Sequence, residues 1–168
     1  MKYFISDLHN MDKNILTYEH RPFNTVEEMR KTIIRNWTTV VLDDDEVFLL
    51  GDIGDPEILG YLNGKITIVC GNHDDAELLR SRKFKKVAGI YEYPIMVGPM
   101  WLSHEPIGYV PPECPYINIH GHLHRFIYGM PGRSWEDGNR YFNVSVEQID
   151  YTPISEREIT SRIGYKKV

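Results

Sequence analysis

The chain has 168 residues and a net charge of −5, from 19 basic and 24 acidic side chains. With 42% hydrophobic and 26% charged residues, it has an ordinary globular composition, which excludes disordered, collagen-like and membrane-spanning classes. Its acidic balance argues against extended contact with a nucleic-acid backbone, and its length fits a single domain over residues 1–168 with a full core.

In chain order, Lys2–Ser6 reads as a strand followed by the polar cluster Asp7-Leu-His-Asn10. Residues 10–24 have weak periodicity and read as a loop over the strand ends. Thr25-Val-Glu-Glu28 has a capping-box pattern, and Val26, Met29, Ile33, Ile34 and Trp37 share one face of the helix it starts. Asp43–Glu46 reads as a solvated turn, and Glu46–Leu50 as a second strand leading to Gly51-Asp52. Asp55-Pro56 starts a helix, with the acid as cap and the proline in the first turn. Lys65–Cys70 is a third strand, leading to Gly71-Asn-His-Asp74, and Asp74 or Asp75 caps a helix through Leu79. Pro99–Ser103, before His104, and Tyr116–Ile119, before His120-Gly-His-Leu-His124, are the fourth and fifth strands. Met130–Arg140 reads as an exposed loop or hairpin turn, and Tyr141–Val146 as a sixth strand. A last helix runs from Ser155 to about Ile163, with Gly164 beyond it.

Alternating strands and helices predict an α/β domain with buried, mostly parallel central strands. In such sheets ligands collect beyond the carboxyl ends of the strands, where this chain places its Asp, Asn and His residues. Trp37 and Trp101 read as core, and Cys70 as a buried strand residue. Cys70 and Cys114 are too few for a disulfide framework and lack metal-type spacing. The start of the chain shows no secretory pattern, so the expected compartment is the reducing cytoplasm, with no membrane segment.

If the strands are neighbours, Asp7, His9, Asp52, Asn72, His104, His122 and His124 converge on one small volume. Carboxylates and imidazoles so confined repel or shift their pKa values, and a pair of divalent cations resolves the conflict. Oxygen and imidazole ligands without thiolate suit manganese, iron or zinc better than calcium or copper(I). Asp7-x-His9 places both side chains on one side of an extended segment. In His122-x-His124 the turn at Gly121 can splay the two rings toward different ions. Asp52, with two oxygens, can bridge ions ~3.5–4 Å apart.

The ordered set Asp7-x-His9, Gly51-Asp52, Gly71-Asn-His-Asp74, His104 and Gly121-His-x-His124 resembles the calcineurin-like metallophosphoesterase superfamily, in the manner of its small bacterial and phage single-domain members. The resemblance implies a four-layer αββα sandwich of two mixed β-sheets flanked by helices. It also implies that Asp7, His9 and His124 hold one metal, Asn72, His104 and His122 the second, and that Asp52 bridges. Manganese is the first expectation for the two ions, with iron, zinc or nickel as alternatives. His73 is then catalytic, oriented by Asp74. The implied reaction is hydrolysis of a small phosphodiester, or a monoester, by a metal-bridging hydroxide. A nuclease acting on single strands and a catalytically weak scaffold are the competing readings. Gly51-Asp-Ile-Gly-Asp55 followed by Pro56, and a block ending in Asp74 rather than Glu, depart from the superfamily's protein phosphatases. Asn10 is a candidate amide donor to a substrate phosphate. Arg21 is either a surface loop arginine or a fork that grips that phosphate. His120 reads as a structural strand residue.

Overall fold

The computed structural model describes residues 1–111, 113–128 and 139–163. The chain runs β1 (Lys2–Ile5), α1 (Lys13–Tyr18), α2 (Val26–Val40), β2 (Glu46–Leu49), a 3-10 helix (Pro56–Tyr61), β3 (Lys65–Val69), α3 (Ala76–Arg82), β4 (Val87–Tyr91), β5 (Ile95–Val97), β6 (Met100–Leu102), β7 (Ile117–His120), β8 (Tyr141–Asn143), β9 (Ile154–Ser155) and α4 (Glu156–Arg162). Helix starts follow local chemistry. The side chains of Asp12, Thr25, Asp75 and Ser155 each accept a hydrogen bond from a backbone N–H in the first turn of the helix that follows, satisfying donors that have no partner within the helix.

Two mixed sheets form the centre. The first has the order β4-β3-β2-β1-β9 and the second β5-β6-β7-β8. In the first, β1 to β4 are parallel and β9 is antiparallel to β1. In the second, β6, β7 and β8 are parallel and β5 is antiparallel to β6. Phe4 pairs with Phe48 in register, and their rings stack with centroids 5.3 Å apart. The sheets are stitched together just past β1. Ser6 N donates to Val144 O at 2.9 Å and Val146 N donates to Ser6 O at 3.2 Å. One continuous core joins both sheets to the helices, with Met29, Ile33 and Trp37 of α2 fully buried against it. This is the expected α/β sandwich with flanking helices.

The structure revises several elements. The segment 10–24 contains α1, and the element after Asp55 is a 3-10 helix. Strands β4, β5 and β9 were not foreseen, and the sixth predicted strand stops at Asn143, with Ser145 in an isolated bridge to Ser6. The Asp43–Glu46 turn is only partly solvated. Asp45 is buried, accepting from Leu42 N at 2.8 Å and from the N-terminal ammonium. Trp101 is half-buried and stacks on Tyr116 instead of entering the core. Cys70 lies just past β3, half-buried. Residues 130–138 of the predicted loop, and Gly164, lie outside the described residues. Among the described residues no helix is long and apolar enough to cross a membrane.

Candidate metal centre

The predicted donor residues all lie past strand ends: Asp7 and His9 after β1, Asp52 after β2, Asn72 and His73 after β3, His104 after β6, and His122 and His124 after β7. Parallel pairing puts these ends side by side, and the chain then bends back. Asp7, His9, Asp52, His122 and His124 all have left-handed φ angles between 45° and 68°. Such angles are uncommon outside glycine and favour short polar side chains. They turn each side chain inward at the point where the strand stops.

The result is two donor groups that have Asp7 in common, with Asp52 between the His9 and His104 rings. Ligand atoms of Asp7, His9 and His124 lie within 4.8 Å of one another, as do those of Asp7, Asp52 and His104. Asp52 Oδ2 is 3.4 Å from His9 Nε2 and 3.4 Å from His104 Nε2. On the second side, Asn72 Oδ1 is 3.0 Å from His104 Nε2 and 3.1 Å from His122 Nδ1, and the two ring nitrogens are 3.2 Å apart. His122 N donates to the Asp7 carboxylate at 3.0 Å. Gly121 permits this approach, because a Cβ there would lie 2.5 Å from Asp7 Oδ2 and would also strike Ser6 Oγ.

This donor set calls for cations. His104 Nδ1 lies 2.8 Å from Leu50 O. That carbonyl can only accept, so Nδ1 carries a proton and the neutral ring turns the lone pair of Nε2 into the cluster. There it meets the Asn72 carbonyl oxygen and the His122 nitrogen, so the space between them needs a positive charge. Without metal a proton can serve. Burial would lower the His104 pKa, but hydrogen bonding to Asp52 and the charges of Asp7 and Asp52 raise it to about 9. Burial works the other way on Asp52, yet the His104 and His9 rings hold its carboxyl well below the usual carboxylate range. His9 Nε2 is buried with no hydrogen-bond partner, as a donor atom meant for a metal would be. These clusters could hold metal ions, and their oxygen-plus-imidazole chemistry suits divalent cations.

Three candidate residues behave differently from expectation. Asn10 is 1% exposed, and its side-chain amide donates to Asp55 O at 2.7 Å. It ties two loops together and does not offer the amide to a ligand. The Arg21 guanidinium has no exposed surface: it bonds Glu147, Leu8 O and Asp7 O. It is neither a surface arginine nor a phosphate fork, but a buried strut beneath Asp7. Asp74 accepts from Gly71 N, Asp52 N and Ile53 N at 2.8–2.9 Å. It locks the β2 and β3 end loops to each other, and its bonds go to backbone, not to the His73 ring. His73 itself is exposed, its ring centroid 5.6 Å from that of His9, and its backbone N donates to Asp52 Oδ1 at 3.0 Å. His120 is buried on β7, with its pKa pushed down to about 4 by that burial.

Sequence reasoning missed Glu147. Its Oε1 is 3.2 Å from His124 Nδ1, and its side chain is 1% exposed. The available signal was an acid directly past the apolar Tyr141–Val146 stretch, the same kind of position that the other donors occupy.

Sandwich and donor cluster together define a protein built around clustered carboxylates and imidazoles between two sheets. No family model matches the chain. It is 36% identical over 179 residues to the uncharacterized protein MJ1445 of Methanocaldococcus jannaschii, covering 99% of this chain and 93% of the archaeal one. The chain belongs to the family of that protein. The crystal structure of AQ665, a protein of unknown function from Aquifex aeolicus, matches with a TM-score of 0.72 and 28% identity, covering 97% of this chain and 99% of the other. The nuclease MPE of Pseudomonas putida aligns over 73% of this chain and 60% of its own, at a TM-score of 0.45 and 19% identity, a distance at which nothing about activity carries over.

Proposed function

We propose that this chain is a dinuclear metal-dependent phosphoesterase of the calcineurin-like kind, acting on a small phosphodiester. The observation that carries the reading is the equal 3.4 Å spacing of Asp52 Oδ2 from His9 Nε2 and His104 Nε2, which sets one carboxylate oxygen between two donor groups. Asp7, His9 and His124 would hold one ion, Asn72, His104 and His122 the other, with Asp52 shared. When bound, two divalent ions lower the pKa of water and neutralise charge developing at phosphorus. His73 stands exposed at the rim beside His9, where its ring can donate to a phosphoryl oxygen or to the leaving group. Asp12, whose carboxylate is 3.8 Å from His9 Nδ1, and Glu19, beside His124, make the rim acidic. A singly charged diester is repelled less by such a rim than a doubly charged monoester. Manganese heads the candidates, ahead of iron, zinc and nickel.

The test is metal analysis of the purified protein, then hydrolysis assays on aryl phosphodiesters, monoesters and nucleotides with each metal added back. Two equivalents of divalent metal, activity lost to chelator and restored by manganese, and preference for diesters are expected. Failure to take up metal, or uptake without hydrolysis of any ester, refutes the proposal. Cleavage of single-stranded DNA that falls steeply with salt would make the chain a nuclease instead.

A further inference from the structure

We propose that Glu147, held in place by Arg21, is the positioning residue that fixes the His124 ring so that Nε2, and not Nδ1, is presented to the metals. This inference rests on the dinuclear reading above. His124 is pinned from two sides. Its carbonyl accepts from Asn143 Nδ2 at 3.0 Å and Gln148 Nε2 at 2.9 Å, and its Nδ1 lies 3.2 Å from Glu147 Oε1. An ionised carboxylate can only accept, so the proton of a neutral imidazole must sit on Nδ1. That leaves the lone pair on Nε2, which points into the cluster 3.9 Å from Asp7 Oδ1.

Arg21 decides which way this bond runs. A protonated Glu147 could donate to Nδ1 and turn the ring into the opposite tautomer. Instead Arg21 Nε donates to Oε1 at 2.8 Å and Nη2 lies 2.6 Å from it, with both side chains almost wholly buried. Both guanidinium nitrogens can only donate, so Oε1 stands as an acceptor toward Nδ1 as well. The same fork reaches the cluster a second way, since Nη1 donates to Leu8 O at 2.9 Å and Nη2 to Asp7 O at 2.7 Å. One arginine thus sets the backbone of Asp7 and, through Glu147, the ring of His124, two donors of the same group. A lysine, with a single charged nitrogen, does not offer this planar spread of donors.

The test removes the charges together. Replacing a buried ion pair with apolar side chains of similar volume is often neutral for folding, so an Arg21→Met, Glu147→Leu double variant is compared with Glu147→Gln and wild type. Manganese binding to metal-free protein is followed by calorimetry and elemental analysis, with thermal melting as the measure of folding. The double variant is expected to fold, with a lower Tm because Leu8 O and Asp7 O lose their donor, and to bind one of its two manganese ions about 10–100-fold more weakly, the usual loss when a ligand's orienting partner is removed. Wild-type affinity at both sites in that variant overturns the proposal while leaving the dinuclear reading intact. Wild-type protein that takes up no manganese overturns both. If neither variant folds, nitrogen NMR on zinc-loaded wild type decides. A protonated Nδ1 on His124 supports the proposal, and a protonated Nε2 overturns it.

Discussion

Gly121→Ala tests whether the closeness of the strand ends builds the site. The φ angle of Gly121 is not left-handed, so alanine brings no backbone penalty and the effect is purely one of space. Its Cβ would lie 2.5 Å from Asp7 Oδ2 and 2.6 Å from Ser6 Cβ, about 1 Å inside the 3.4 Å at which ordinary contact begins. Neither neighbour can retreat easily. Ser6 is paired through its backbone with Val144 and Val146, and Asp7 N donates to Gly51 O at 3.0 Å. Overpacking of this kind costs about 1–3 kcal/mol, and weakening the His122 N–H bonds to a buried carboxylate adds about 1–2 kcal/mol. For a domain of this size the sum lowers Tm by roughly 5–15 °C, measurable by calorimetry or circular dichroism. Manganese uptake should fall as Asp7 is displaced. Gly60→Ala is the control, because a Cβ there meets nothing within 4 Å. If Gly121→Ala melts with wild type and binds metal normally, the close approach described here is wrong.

Three further outcomes are expected. His73→Ala should keep its full metal content yet lose about 10²–10⁴-fold in kcat; full turnover on both activated and poor-leaving-group diesters would remove His73 from the chemistry. Asp45, held below its ordinary value of 3.8 first by the N-terminal ammonium and then by Leu42 N–H, stabilises the fold above that value, and the contribution disappears as pH drops through the folded pKa. Accordingly Asp45→Asn should lower Tm at neutral pH, with the gap closing in strong acid, and a gap independent of pH would contradict the ion pair. The Cys70 thiol is pushed up to about 11 by burial, aided by the charge of Asp74. Iodoacetamide labelling at Cys70, read by mass spectrometry, should therefore stay slow at pH 8 and accelerate toward that value.

The positions of the donor residues were legible because each sits in a short polar cluster after an apolar strand, and parallel strands bring such clusters to one edge. What each polar side chain bonds was not legible. Asp74 follows a histidine in sequence but spends its oxygens on three backbone N–H groups. Arg21 lies in a segment without periodicity, and only the fold brings it to Glu147, 126 residues away. The missed elements share a physical reason. Helix α1 buries only Ile15, too little for a periodic signal. Strand β4 carries Gly89 at its centre, and β9 is two residues long, so pairing with neighbours, not local preference, makes them strands.

The left-handed turns at Asp7, His9, Asp52, His122 and His124 have an evolutionary consequence. Each holds a side chain in a backbone conformation that Asp, Asn and His tolerate far better than bulky or β-branched residues do. Lineages that keep Asp or His at all five positions therefore keep residue types that tolerate this backbone as well as offer a donor atom, and a bulky or β-branched side chain at any of them meets strain besides losing the donor.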